Sequence, residues 1–222
     1  MSSAQHTAIG RALPRRFYNR PVVTVARELL GLLLVRDSEE GRVVGRIVET
    51  EAYLAVGDPA SHSYRGPSKK NASMFGPPGH AYVYVIHARH CVNVVTEPVG
   101  VASAVLIRAV EPIEGLPLMH LRRGVADPRL LARGPARLCQ AFAVDRQLDG
   151  WDLTQAGPLF VARASRSRGV GSPLRIVATP RIGVTSGAAA PLRFCVAGSV
   201  HLSRPCREPP ESPEPLPPGQ RR

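Results

Sequence analysis

The stretch Arg46–His62, RIVETEAYLAVGDPASH, constrains the fold more than any other part of the chain. Its alternation reads as one extended segment, because successive side chains of a strand point to opposite faces. Ile47, Glu49, Glu51 and Tyr53 then share one face, and Val48, Thr50, Ala52 and Leu54 the other. Most of the apolar surface lies on the second face, so the first offers two carboxylates and a phenol to something other than a dry core. With His62 close in sequence, these groups are able to run acid–base chemistry on a planar ligand. The bland alternative is a solvated strand face, which antiparallel sheets commonly carry.

The flanking sequence supplies neighbours for this strand. Pro21–Leu30 reads as a helix with Val22, Val25, Ala26, Leu29 and Leu30 as its apolar stripe, closed by Gly31. Leu32–Arg36 and the polar turn Asp37–Gly41 lead into the central strand as a hairpin. Ala81–Ile86 and Cys91–Thr96 form a second hairpin with His87-Ala88-Arg89-His90 at its tip, and Tyr82 and Tyr84 share a face. Ala104–Val110 is a strand interrupted by Arg108, which either reaches solvent at a strand end or faces an anion. Helices are expected at Glu114–Arg123 and from Gly134-Pro135 to about Val144, the latter with Leu138, Cys139, Ala141 and Phe142 inward. Leu159–Ala162, Leu174–Ala178 and Leu192–Val196 are later strands, and Arg163–Pro173 is a basic, flexible connection.

Length and composition bound the rest. With 222 residues and 44% hydrophobic content, the chain can build one substantial core. No run reaches the roughly 18 apolar residues of a membrane span, and the N-terminus lacks the apolar core of a secretory signal. A cytoplasmic protein is expected, with no membrane partner. The net charge of +12 points to an anionic partner, nucleic acid first. In the loop after Asp58, Arg65, Lys69 and Lys70 are candidates for phosphate contact, or simply a solvated cluster. Cys91, Cys139, Cys195 and Cys206 are widely spaced and suggest neither a zinc knuckle nor a disulfide framework. His87, His90 and Cys91 could be weighed as metal ligands, but no fourth group stands nearby at ligand spacing. Seven of the nineteen residues from Arg204 to Arg222 are Pro, and that tail is expected to be disordered.

Seven segments follow one another in order: RIVETEAY, ASHSYRGPSKKN, MFGPPGHAYVY, CVNVVTEP, AVLIRAVEP, GPARLCQAF and PRIGV…PLRF. Together they closely resemble the 3-methyladenine DNA glycosylase family of the alkyladenine (N-methylpurine) type, from Phe17 to Ser203. The resemblance implies an α+β fold: a single compact domain around a curved, mainly antiparallel β-sheet, with flanking helices and a protruding β-hairpin. That domain would occupy 14–203, between a flexible N-terminus (1–13) and the Pro-rich tail (204–222). It also implies a monofunctional DNA N-glycosylase of base-excision repair, acting as a monomer on double-stranded DNA without cofactor or metal. Such an enzyme flips out damaged purines (3-methyladenine, 7-methylguanine, and hypoxanthine or ethenoadenine as further candidates) and hydrolyses their N-glycosidic bond.

Roles follow by position in the resemblance. Glu51 matches the general base and Arg108 the arginine that places the water and the adjacent phosphate. Tyr53, His62 and Tyr84 match the aromatic walls of the base pocket, and Asn93 the floor residue that crowds the amine of normal guanine. His87 matches the residue that fills the gap left by the flipped nucleotide. The tip is one residue shorter than the family's usual form, which could move that role to Arg89, and Lys70 stands where Arg is usual. Glu49 shares the face of Glu51 by parity and is the alternative base. Two other readings stand beside this one: a non-catalytic nucleic-acid-binding domain of the same fold, and a metal-dependent hydrolase built on the tip histidines.

Overall fold

A computed structural model of the protein describes residues 9–165 and 174–206. Nine strands form one open sheet in which every pairing is antiparallel: β1 (Ile9–Ala12), β2 (Leu33–Ser38), β3 (Gly41–Tyr53), β4 (Ala81–Ile86), β5 (Arg89–Thr96), β6 (Ser103–Glu114), β7 (Leu159–Ala164), β8 (Ile176–Thr179) and β9 (Arg193–Val196). Their order is β1-β7-β2-β3-β6-β5-β4, with β9 joined to β3 and β8 to β9. The long β3 serves two neighbours along one edge. Its first half pairs with β2 through Gly41–Arg46, and its second half pairs with β9 through Glu49–Glu51. Its other edge is taken by β6.

Four helices accompany the sheet: α1 (Arg15–Tyr18), α2 (Val22–Glu28), α3 (Leu116–Arg123) and α4 (Pro135–Phe142). The start of α4 follows directly from its sequence. Pro135 occupies the first turn of α4, where its missing N–H costs nothing, and Ala143 ends the helix in a left-handed conformation. Leu138, Cys139, Ala141 and Phe142 are buried. They join Val25, Leu29, Ile47, Ile107, Val110 and Met119 in the main core against one face of the sheet. Burial of a side chain the size of Leu138 or Phe142 contributes about 1.5–3 kcal/mol. Gly45 permits the close approach of α4, since a Cβ there would lie 2.5 Å from Val110 Cγ2 and 3.0 Å from Phe142 Cζ. The expected single α+β domain with a mainly antiparallel sheet is the observed architecture.

Several boundaries differ from the sequence reading. Ile9–Ala12, at the end of the N-terminal segment expected to be flexible, form β1 against β7. Residues 166–173 of the connection expected to be flexible, and residues 207–222 of the tail, lie outside the described residues. Among the described residues no helix is long and apolar enough to cross a membrane.

The central strand departs from strict alternation. Ile47 pairs with Val110 and Glu49 with Ala109, so Val48 is an extra residue on β3. Thr50 then pairs with Ile107, which makes Arg108 an extra residue on β6. The two bulges cancel, and the register beyond them is restored. Ile47 therefore points into the main core with Ala52, not toward the site with Glu49 and Glu51, while Thr50 hydrogen-bonds Ala26 of α2. The carboxylate face is not solvated either: Glu49 and Glu51 are both 0% exposed.

Candidate active site

The register aligns a row of residues across five strands: Tyr82 opposite Asn93, Asn93 opposite Leu106, Leu106 opposite Glu51, and Glu51 opposite Arg193. Cross-strand partners share a face. The part of the row from Tyr82 to Leu106 borders a cavity of about 330 Å³, large enough for a purine ring. Tyr53, His62, Tyr82, Tyr84, Asn93 and Arg108 line it, together with Met74, Leu106 and the segment Ile182–Val184.

Glu51 sits behind the wall with three donors. Tyr53 Oη donates to Oε2 at 2.9 Å and Arg108 Nη1 to the same oxygen at 3.1 Å. The Ile182 N–H donates to Oε1 at 2.8 Å, leaving that oxygen with acceptor capacity for one more donor. All three donor residues line the cavity. Glu49 lies one step back. It accepts from Arg108 Nε at 3.1 Å, Arg193 Nε at 2.7 Å, and the Ser203 N–H and hydroxyl at 2.6 and 2.7 Å. Two carboxylates and two guanidiniums thus form one buried, mutually neutralising cluster, with Arg108 shared between the two glutamates.

The electrostatics follow from this packing. Burial alone would make Arg108 a weaker base, but Glu51 and Glu49 outweigh it and hold the guanidinium more firmly protonated than usual. Burial, then the neighbouring Glu51, pushes the Tyr53 hydroxyl above its ordinary range, so it stays protonated and donates. Burial raises the Tyr82 and Tyr84 hydroxyls in the same way. It lowers the His62 imidazole, which is therefore neutral at pH 7.

The aromatic walls are braced from behind. His62 Nδ1 lies 2.8 Å from Tyr82 Oη, and its ring meets Tyr84 edge-on at 4.5 Å. Arg181, which the sequence reading did not single out, stacks its guanidinium 4.6 Å from the centroid of Tyr53. Arg181 also grips Asp58 through two bonds of 2.6 and 2.7 Å and donates to the Ala52 carbonyl. Asp58 in turn accepts from the Leu54 and Ala60 amides, which shapes the turn from β3 to His62. Asn93 Nδ2 donates to the Tyr82 carbonyl, which fixes that amide against the cavity.

The DNA-contact candidates are distributed differently. Arg65, Lys69 and Lys70 are exposed. Lys69 and Lys70, with Arg146, line a second cleft that shares His62, Tyr82 and Tyr84 with the cavity, and Arg65 lies outside both. Buried Asn71 organises their loop by donating to the His62 and Gly66 carbonyls and accepting from the Ser68 N–H. The hairpin tip is tighter than expected. Ile86 pairs with Arg89 and Val85 with His90, leaving the two-residue turn His87-Ala88, both at positive φ. That is the geometry of a type I′ turn, whose twist matches the strands. His87 is exposed and lies outside the cavity lining, whereas the adjacent, half-exposed Ile86 does line it.

Among the described residues no group of three or more His, Cys, Asp or Glu is placed to hold a metal. The four cysteines are free thiols, three of them buried, and Cys91 faces the cavity. The residues that sequence reasoning missed (Arg181, Ile182, Arg193 and Ser203) all come from the last part of the chain. Three of them lie in the PRIGV…PLRF segments, which was the available signal.

Comparison with known proteins agrees with the geometry. Residues 16–200 match the family described as Methylpurine-DNA glycosylase (MPG). A protein of Methanoculleus marisnigri is 53% identical over 86% of this chain and 98% of its own. Relatives from Carboxydothermus hydrogenoformans and Rhodopseudomonas palustris are 45% and 47% identical over 86% and 92% of this chain and 98% and 94% of their own. All three carry the provisional name 3-methyladenine DNA glycosylase. A family match over most of the chain, with relatives 45–53% identical along nearly their whole length, establishes that the chain belongs to the methylpurine-DNA glycosylase family of DNA N-glycosylases.

Proposed function

We propose that the protein excises alkylated purines from double-stranded DNA, with Glu51 activating the water that attacks C1′ of the flipped nucleotide. The observation that carries this reading is the setting of Glu51: a buried carboxylate with one oxygen still able to accept, held by three donors whose residues line an aromatic cavity. A water held between Tyr53, Arg108 and Ile182 would donate to Oε1 and be oriented toward the sugar. General-base help of this kind contributes about 10²–10⁴-fold, and the carboxylate also stabilises an oxocarbenium-like sugar. Arg108 holds Glu51 in place through its Nη1 bond to Oε2 and, on the cavity side, faces the phosphate next to the lesion.

Base flipping costs a few kcal/mol, less for a damaged base, and stacking against aromatic side chains returns about 1–3 kcal/mol per base. Tyr84 and His62 offer that stack. Tyr53 contributes its remaining face, since Arg181 covers the other. Asn93 in the floor excludes the amine of normal guanine, and the loop of Lys69 and Lys70 holds the backbone. Ile86 takes part in filling the vacated stack beside His87, because it is the half-exposed apolar side chain at the cavity rim. Alkylated, cationic purines leave readily, while neutral hypoxanthine needs protonation on departure. No acid is set opposite Glu51 among the described cavity residues, so alkylated bases are the expected substrates.

The test is base release from methylated duplex DNA with EDTA present, comparing wild type with Glu51→Gln. Release by the wild type and little by the variant, at similar DNA affinity, is expected. Tight binding without release by either would favour a non-catalytic binding domain of the same fold. Hypoxanthine released as fast as 7-methylguanine would refute the substrate preference.

A further inference from the structure

Beyond the cavity, the segment Leu202–Arg204 lies across the back of the ion cluster, and it is tied there by two separate arginines and one carboxylate. The Leu202 carbonyl accepts from Arg133 Nε at 2.6 Å. The Arg204 carbonyl accepts from Arg193 Nη2 at 2.7 Å. Between them, Ser203 gives Glu49 both of its donors, the N–H to Oε2 and the hydroxyl to Oε1. Leu202 itself is buried with Val48, Ala109 and Cys195. Ser203 stands beyond residues 16–200, where the family match ends.

We infer that Ser203 is a positioning residue for the proposed base-release reaction, acting through Glu49 and Arg108 on Glu51. The warrant is the sharing of acceptors. Glu49 Oε1 takes three donors at once: Arg108 Nε, Arg193 Nε and the Ser203 hydroxyl. Arg108 divides its guanidinium between Glu49 and Glu51, and its Nη2 also reaches the Ser203 oxygen at 3.4 Å. The Ser203 hydroxyl satisfies part of the Glu49 charge. Without it, Glu49 draws Arg108 toward itself and away from Glu51 Oε2. The two carboxylates are buried, so this competition is not diluted by solvent. The substrate never meets Ser203; the effect is on where the guanidinium points.

This inference rests on the reading of Glu51 as the base, and the experiment separates the two. Single-turnover release of 7-methylguanine from methylated duplex DNA is measured for wild type, Glu51→Gln, Ser203→Ala and Ser203→Thr, with affinity for undamaged duplex measured in parallel. Ser203→Ala is expected to slow release about tenfold, the scale of one hydrogen bond to a charged group, with DNA affinity unchanged. Ser203→Thr, which keeps the hydroxyl, is expected to recover most of that rate. Release by Ser203→Ala at the wild-type rate overturns the inference while leaving the Glu51 reading intact. Parallel loss of rate, affinity and thermal stability in both Ser203 variants also overturns it, and assigns the segment a purely structural part. No release by wild type, or full release by Glu51→Gln, overturns the reading on which it rests.

Discussion

The ion cluster behind the cavity wall and the hairpin beside the cavity handle charge in opposite ways. In the cluster, Glu49, Glu51, Arg108 and Arg193 are all nearly inaccessible, and each charge is met by another within hydrogen-bonding distance. At the hairpin, Val85 and Ile86 are about half exposed, and Lys69 and Lys70 nearby make no ion pair among the described residues. A protein gains little stability from either arrangement. Buried ion clusters roughly break even against apolar packing, and exposed aliphatic side chains forgo their burial. The contrast teaches a division of labour. The cluster fixes the orientation of its groups, and the hairpin and loop leave open the interactions that a partner would complete.

The largest expected effect breaks the ion cluster. Arg108→Leu leaves two buried carboxylates short of a cation and should cost about 3–5 kcal/mol of stability, read as a drop in the denaturant midpoint. Placed in a Glu49→Gln, Glu51→Gln background, the same substitution should cost clearly less. An equal cost in both backgrounds would mean that Arg108 contributes by packing alone.

Asp58 and Arg181 provide the next test, because they repeat the buried pair at the cavity wall. Burial tends to raise the Asp58 carboxyl, but the Arg181 bonds and the Leu54 and Ala60 amides outweigh it and hold it below the ordinary range. A carboxyl depressed in the folded state adds stability that is complete above its unfolded value near 4. That stability is lost as pH falls through the lower folded value. Asp58→Asn should therefore destabilise the protein at pH 7, and the gap to wild type should close below about pH 4. Thermal melting across pH 3–7 decides it; a gap that stays constant would show that the pair's charge is irrelevant.

The hairpin side should respond in binding and not in melting. Lys69→Ala with Lys70→Ala should leave stability within about 0.5 kcal/mol. It should make the plot of log affinity against log salt shallower by about 0.9 for each phosphate that is no longer neutralised. The smallest change is expected at the tip. Ile86→Ala should slow base release a few-fold, at unchanged melting, because a truncated side chain fills the vacated stack less well. The same slowing from His87→Ala, with none from Ile86→Ala, would return the wedge to the turn residue.

Much of this molecule was legible in its residues, and the exceptions have physical causes. Pro135 and Gly31 marked helix limits, and the Tyr82 and Tyr84 alternation marked a strand face, because local stereochemistry decides such features. The ordered segments around Glu51, Arg108 and Asn93 located the cavity. Strict alternation misplaced Ile47, since nothing in a period of two announces a bulge at Val48. The burial of Glu49 depended on Arg193 and Ser203, more than 140 positions away. Arg108 stood out among 29 Lys and Arg by interrupting an apolar strand, but nothing local marked Arg181 or Arg193 as turning inward. The hairpin tip was read as four residues because His90 breaks the apolar pattern, yet β-pairing extends through it to Ile86 and Arg89.

The paired bulges at Val48 and Arg108 carry a lesson for anyone hoping to transplant this chemistry into another sheet. The extra residue on one strand is what makes room for the extra residue on its neighbour, and the guanidinium reaches both carboxylates from that displaced position. Copying Glu51 and Arg108 onto regular strands would carry over the side chains but not their angle of approach. The smallest transferable unit is a patch of two strands, Ile47–Glu51 with Leu106–Val110, moved together with its irregularities.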